Sequence, residues 1–472
     1  MALQDAVVAD QGNAAVPLAF RPPGPGSSAP SSPLLSRLRR VVANPIEVWP
    51  RAVYEDRVWR PPFPGAPVFL MDPAAIKAVL VENADEFPHG ALFKRVVAPF
   101  WGKGLLNVDG AEWRWQRRAA APAFRAAQMA ALAPRMRGSA EAALARWRAR
   151  GDWDIAAETG AITFDVVLDT ILSGGEDFDR ETLRARIEAF LAEQGRMRPS
   201  YFFASDAFHQ GRTEPGTPEG MRLRDEMGRM VRRRRAAPPR GDLVDLLMAA
   251  QDPETGQPMD DETLRDNLLG FIVAGFGTSA VALGWSLYLL SEDAASAARL
   301  RAEVDEVTGG AAVEGHHVEK LQFTRAVVSE AMRLYPPAHT LTRVAGRTIE
   351  VAGVTIRKGA RVLVPVYALH RHTAPWRDPD LFDPDRFMPG APPIDRHVYM
   401  PFGAGPRICL GAAFAMTELV VVLATLVRGA RFAMQAGHEV APMAGLALQP
   451  RGGLPMRVTV GAGSLERVTH PG

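Results

Sequence analysis

Between Leu268 and Ser291 the chain carries no charged side chain. The stretch around it, opened by Asp260-Asp-Glu-Thr-Leu, runs to about Ser291 without a proline, the longest uninterrupted helical pattern in the 472 residues. Acidic residues in its first turn suit the positive end of a helix dipole. About thirty helical residues span ~45 Å, enough to cross a whole domain. A segment this apolar either crosses a bilayer or runs through the middle of a large core. Its internal position and its glycines (Gly270, Gly275, Gly277, Gly284) favour the core. So do the motifs on its two sides, which a membrane would separate.

The totals agree with a globular chain. The length allows one large domain or two or three ordinary ones. Hydrophobic content of 47% and charged content of 23% are ordinary for such a protein. With 55 basic and 53 acidic residues, the net charge of +2 gives no reason to expect a nucleic-acid partner. Cys409 is the single cysteine, so no intramolecular disulfide forms and a reducing, cytoplasmic setting is expected. Residues 1–35, with the Pro/Ser/Gly-rich run Pro22–Pro33, read as a flexible leader without secretory signal or membrane anchor, and 36–472 as one domain. Asp72-Pro73 opens a helix with a cap and a proline at its first position. Residues 84–108 read as a loop, 295–345 as helical, and 347–367 as short strands around Gly353 and Gly359. Leu446–Val460 reads as a closing hairpin. The arginine run Arg232–Arg235 reads as a solvated helix end.

The most specific stretch is Pro401-Phe-Gly-Ala-Gly-Pro-Arg-Ile-Cys-Leu-Gly411. Gly403, Gly405 and Gly411 allow tight turns and close backbone approach. An Ala/Leu-rich helix pattern follows at once, so Cys409 sits where a helix N-terminus favours the thiolate. Arg407 adds a cation able to pair with an acidic ligand group. The segment resembles the haem-binding loop of the cytochrome P450 family, Phe-x-x-Gly-x-Arg-x-Cys-x-Gly, and matches every fixed position from Phe402 to Gly411. In that family the cysteine is the axial thiolate ligand of haem iron.

Further motifs follow in the family's order over roughly residues 40–460. Trp113 and Arg117, four apart on one helix face, match the pair that binds a haem propionate. Arg343 matches another propionate-binding arginine, and His397 is a further candidate. Glu330 and Arg333, three apart, with Arg386 about fifty residues on, resemble the family's buried structural triad. Ala274-Gly-Phe-Gly-Thr278 resembles the oxygen-activation motif: Gly275 would let the helix open over the iron, and Thr278 would hydrogen-bond dioxygen. Gly277 stands where that motif usually has an acid. Protons then come through water or a substrate group, or coupling is poor, or the chemistry is peroxide-driven. His370 and His372 read as satisfied surface histidines.

The resemblance implies a mainly α fold with small β-sheets, a single domain holding haem b between the long central helix and the cysteine loop. It implies a monomeric monooxygenase that inserts one atom of O2 into a small apolar organic substrate. No reductase motif is present, so electrons come from separate donors, a ferredoxin and its reductase, docking on a basic face near Arg114, Arg118 and Arg396. Phe93, Val96, Phe202, Phe203, Val273, Ala274, Thr340 and Leu446 fall where the family builds its pocket. Two rivals remain open: a haem-binding sensor without turnover, and a cysteine hydrolase, which would need a histidine base for Cys409.

Overall fold

The computed structural model describes residues 20–24, 40, 43–63, 65–149, 151–172, 178–194, 208, 218–252 and 254–461, with the side chains of 96, 97, 99, 100, 126, 127 and 192–194 excepted. Ten α-helices of ten or more residues stand among them: α1 (Ala91–Trp101), α2 (Gly110–Ala120), α3 (Ala133–Trp147), α4 (Ile155–Ile171), α5 (Arg180–Gln194), α6 (Pro218–Arg235), α7 (Asp261–Glu292), α8 (Ala294–Thr308), α9 (Gln322–Leu334) and α10 (Ala412–Gly429). The uncharged stretch is the heart of α7. Asp260 caps it by accepting from Thr263 N at 2.6 Å. Asp293 ends it and caps α8 through Ala295 N and Ser296 N, both at 3.1 Å.

Burial follows from that composition. The first half of α7 (Leu264, Leu268, Leu269, Ile272, Phe276) packs with α4, α5 and α6. Its second half (Val281 to Leu290) joins α3, α9 and α10 in the largest apolar cluster. Helices α7 and α10 are both long and apolar enough to cross a membrane, yet 72% of each such window is buried inside the protein. A third cluster lies on a small sheet.

That sheet has the order β1 (Val58–Trp59), β2 (Val68–Leu70), β7 (Arg361–Val364), β4 (Leu341–Val344), with β2 and β7 parallel. β3 (Asp152–Asp154), β11 (Pro455–Val460) and β8 (Ala430–Met434) form a second sheet; β5 (Ile349–Val351) pairs with β6 (Val354–Ile356), and β9 (Pro442–Ala444) with β10 (Leu448–Pro450). The C-terminal stretch is therefore not a hairpin. β10 turns back on β9, whereas β11 leaves it to pair with β8, on the far side of the β9–β10 pair, and with β3, far away in sequence. The expected loop at 84–108 contains α1, whose end Gly102 takes at φ 42°. The leader lies outside the described residues except for 20–24, where the Pro23 carbonyl accepts from Tyr335 Oη at 2.7 Å.

The arginine run is split. Arg234 is buried and donates to both Asp242 oxygens at 2.8 Å, while Arg232, Arg233 and Arg235 are exposed.

α9 ends in a buried ion pair. Arg333 donates through Nε to Glu330 Oε2 (2.6 Å) and through Nη2 to Oε1 (2.7 Å), and neither residue has exposed surface. Its remaining donors reach the carbonyls of His370, Pro379 and Leu381 at 2.6–2.9 Å. Asp383 N donates to Glu330 Oε1 at 2.9 Å, and Arg386 Nε lies 3.6 Å from the same oxygen. Removing one partner leaves the other charge buried and alone. Glu330→Ala should cost about 3–5 kcal/mol of unfolding free energy, measured by denaturant titration; a loss like that of a surface ion pair would contradict this placement.

Candidate active site

The cysteine loop is a set of tight turns. Gly403 and Gly405 adopt φ 75° and 73°. A Cβ on Gly405 would stand 1.9 Å from the Leu80 carbonyl, so no other residue fits. Cys409 N donates to Phe402 O at 2.9 Å, closing the loop three residues before α10 begins. The thiol is exposed to solvent, although protein atoms crowd it closely. Burial pushes it up, opposed by the Gly411 N–H and the Arg117 cation. Exposure together with crowding is what the floor of an enclosed cavity gives.

α7 shows the matching sign. Ala274 and Thr278, one turn apart, are exposed in the middle of an otherwise buried helix. Thr278 Oγ1 donates to Ala274 O at 2.6 Å, which leaves its lone pairs free to accept. Thr163 of α4 reaches the Phe276 carbonyl at 3.1 Å from the other side.

Cations gather at the cysteine side. Arg407 pairs with Asp109, donates to Val108 O at 3.2 Å and lies over the Trp113 ring, 4.6 Å from its centroid. Lys94 Nζ is 2.5 Å from the same aspartate. Burial, with Arg407 nearby, pushes Arg343 down to about 10. Arg117 is also pushed down by burial, with the Cys409 side chain its counter-charge. Arg343 and Arg407 thus share one carboxylate, Asp109, and Arg117 faces the Cys409 side chain, all in a partly desolvated space, which fits a ligand bearing anionic groups. A Cβ on Gly411 would meet no atom within 4 Å, so something flat can come close there. The residues fit a haem with its propionates.

The comparisons agree. The Cytochrome P450 family profile matches residues 62–454. The chain is a cytochrome P450. It is 35% identical to cyclooctatin synthase of Streptomyces melanosporofaciens over 86% of each chain. It is 31% identical to cyclooctat-9-en-7-ol 5-monooxygenase of the same organism (75% of this chain, 77% of that one). Pentalenene oxygenase of Streptomyces avermitilis is 29% identical, over 79% and 83%. A crystal structure of a cytochrome P450, CYP102L1, shares the fold at TM-score 0.74 and 24% identity, covering 87% of this chain and 93% of that one. The protein is accordingly an oxygen-incorporating oxidoreductase of the haem-thiolate class, which leaves the hydrolase behind.

Several residues of this P450 stand elsewhere than the sequence suggested. His370 and His372 are buried, not at the surface. His370 Nδ1 donates to Arg333 O (3.2 Å) and Nε2 accepts from Met400 N (3.0 Å); burial and the Arg333 cation push it down to about 3. His372 is held by Asp56 O and Ala374 N. His397 is also buried, its Nδ1 against Asp395 at 3.2 Å. Arg114 and Arg118 are exposed but lie 3.7 and 3.6 Å from Asp85 and Glu254. Of the pocket candidates, Val273 is buried in the second cluster, and Phe93 packs against it and on His89. Phe202 and Phe203, and the Val96 side chain, lie outside the described residues.

Two residues went unnoticed in the sequence. Burial and the cations of Arg343, Arg407 and Lys94 push His89 down to about 2. This neutral imidazole joins the cation group from 254 residues before Arg343, with only a Pro-His-Gly turn to mark it. The other is Glu418 of α10, fully buried, whose Oε2 accepts from Ser279 Oγ at 2.6 Å while Oε1 has no partner. Ser279 directly follows Thr278.

Burial raises Glu418 to about 8 from an ordinary value of 4.5. Between those values the unfolded chain ionises this acid and the folded one does not, so stability falls as pH rises, by about 1.4 kcal/mol per unit. The contribution is full below the unfolded value and gone above the folded one. Glu418→Gln should abolish this slope. Urea unfolding at intervals from about pH 5 to pH 8.5 should show the wild type losing ground to the variant; a constant difference would mean that Glu418 is ionised throughout.

Proposed function

We propose that this P450 inserts one oxygen atom of O2 into a bulky, cyclic, hydrocarbon-rich substrate, using haem b bound through Cys409. Electrons come from separate donors, a ferredoxin and its reductase. What supports the reading is that Cys409 is exposed yet crowded beside the Arg117 cation, that Arg343 and Arg407 gather around Asp109, and that Ala274 and Thr278 are exposed in the middle of the otherwise buried α7. We read these as parts of the wall of one haem cavity. Haem, when bound, supplies the redox-active iron at which dioxygen is reduced.

The remaining work belongs to the chain. Cys409 binds as thiolate, favoured by the Gly411 N–H and Arg117. Arg117, Arg343, Arg407 and the Trp113 indole hold the propionates, with His89 beside them as a neutral hydrogen-bonding group. Gly275 lets α7 pack closely on α4, since a Cβ there would stand 3.3 Å from Val167 Cγ2, and Thr278 accepts and passes a proton at Oγ1. Gly277 offers no acid, so we assign proton storage to Glu418, neutral at pH 7 and hydrogen-bonded to Ser279, the residue after Thr278. Its Oε1 is buried without a protein partner, and we assign a bridging water to it. This is a relay through protein and water rather than peroxide-driven chemistry, and Thr278 speaks for turnover rather than for a sensor.

The substrate class rests on apolar wall candidates such as Val273 and Phe93 and on relatives whose names state oxygenation of cyclooctat-9-en-7-ol and of pentalenene. We further read residues 36–472 as one domain working in the cytoplasm as a monomer, with the lone thiol as the support for a reducing setting.

The test is the difference spectrum of dithionite-reduced protein with and without carbon monoxide. Wild type should show the Soret band that names the family, and Cys409→Ser should lose it. A blue-shifted band in the wild type would mean that the thiolate does not ligate the iron. In Glu418→Gln with competent electron donors, peroxide released per NADPH should rise several-fold; unchanged coupling would remove Glu418 from the relay.

A further inference from the structure

His339 joins two segments that the sequence keeps 106 residues apart. Its Nε2 lies 3.0 Å from the Gly445 carbonyl, and its Nδ1 lies 3.0 Å from Thr340 Oγ1. A carbonyl only accepts, so Nε2 carries the proton, and Nδ1 accepts from the Thr340 hydroxyl. The ring's tautomer and orientation are thereby fixed. Its backbone is fixed too, because the His339 carbonyl accepts from Tyr367 N at 3.1 Å. Burial holds the imidazole neutral, and no charged group contributes.

Each joined segment touches an element that carries site residues, the cysteine loop in one case and α7 in the other. Thr340 precedes β4, where Leu341 Cδ1 comes within 3.8 Å of the place a Gly403 Cβ would take, against the cysteine loop. Gly445 opens the turn between β9 and β10. The tip of that turn, Leu446, is 46% exposed, while its neighbours Ala444 and Leu448 are buried. Leu448 O accepts from Trp285 Nε1 at 2.7 Å, which ties the turn to α7. Trp285 lies seven residues after Thr278, so it shares that helix face about 10 Å further along. Leu448 N also donates to Pro337 O at 3.1 Å, a second tie between the same two segments.

We propose that His339 is a specificity-determining positioning residue: its two hydrogen bonds lock Thr340 and Leu446 together as one rim of the cavity. The proposal rests on the haem-thiolate reading above. A rigid cyclic substrate cannot bend around a rim that moves, so this lock decides which part of it faces the iron. A small ligand that does not reach the rim is indifferent to it.

The test compares two nitrogen ligands of haem iron, imidazole and 4-phenylimidazole, by their spectral dissociation constants. In His339→Phe, which keeps the ring and loses both bonds, the constant for 4-phenylimidazole should rise about tenfold and that for imidazole should stay within about twofold. His339→Gln, which can still donate to Gly445 O, should recover most of the difference. Combining His339→Phe with Leu446→Ala should give less than the sum of the two changes. An unchanged ratio of the two constants, or strict additivity, overturns the proposal. If His339→Phe does not fold, Thr340→Val removes one of the two bonds and should shift the same ratio by about threefold; no shift is again a refutation. Absence of any imidazole shift in the haem-loaded wild type would instead overturn the haem-thiolate reading, and this proposal with it.

Discussion

A carboxylate and a guanidinium with no exposed surface, Glu330 and Arg333, hold the framework on which the cysteine loop rests. Burying two charges is tolerable only when they pair well and their remaining hydrogen-bonding capacity is used. Arg333 meets that condition with two bonds to Glu330 and three to carbonyls of the segment 370–381. One of those carbonyls belongs to His370, whose ring continues the chain of contacts: Nδ1 donates back to Arg333 O and Nε2 accepts from Met400 N. Met400 O in turn accepts from Gly403 N, inside the loop that presents Cys409. The ion pair thus acts at a distance on the thiolate. Burial, and after it the Arg333 cation, keep His370 neutral, and only a neutral ring accepts from Met400.

The cavity is where the same chain departs from good packing. α7 buries nearly everything it carries, then leaves Ala274 and Thr278 exposed at its middle. Arg117 and Arg343 are desolvated, and Asp109 is already engaged by Lys94 and Arg407. Uncompensated cations and open apolar wall both cost free energy in the absence of a ligand, and a bound dicarboxylate porphyrin relieves both. Ligand binding therefore stabilises this fold by mass action, and the strain resides at the site rather than in the framework.

How much of this could be read from the sequence depended on separation along the chain. The cysteine loop, the Glu330–Arg333 spacing, the Trp113–Arg117 spacing and the uncharged core of α7 are local patterns, and local patterns carry over into structure. Helix α1 was hidden because Pro99 and the flanking glycines imitate a loop, although its first turns are free of both. The tail looked like a hairpin because strand pattern does not name a partner; β11 found β3, some 300 residues earlier. His370 and His372 looked solvated because polar residues usually are, and the carbonyls that satisfy them are set by the fold. Glu418 gave no signal at all: a glutamate in an apolar helix pattern reads as an exposed position until Ser279 is seen opposite it.

That last pairing bears on the departure from the family's motif. Gly277 is not forced by packing, because a Cβ there would meet only Leu191 Cδ1, at 3.9 Å. The acid is therefore not excluded for want of space. An exposed acid at 277 would ionise at ordinary pH and act as a solvent-coupled relay. A carboxyl buried between α7 and α10 stays protonated up to about 8, so the proton is already stored when a turn of chemistry needs it. Storage of this kind is slow to refill, since Glu418 is closed to solvent and Ser279 is its one partner among the described residues. If Glu418 is the proton store proposed above, the oxygen site is kept apart from bulk water, and refilling of the store limits how often it can be used.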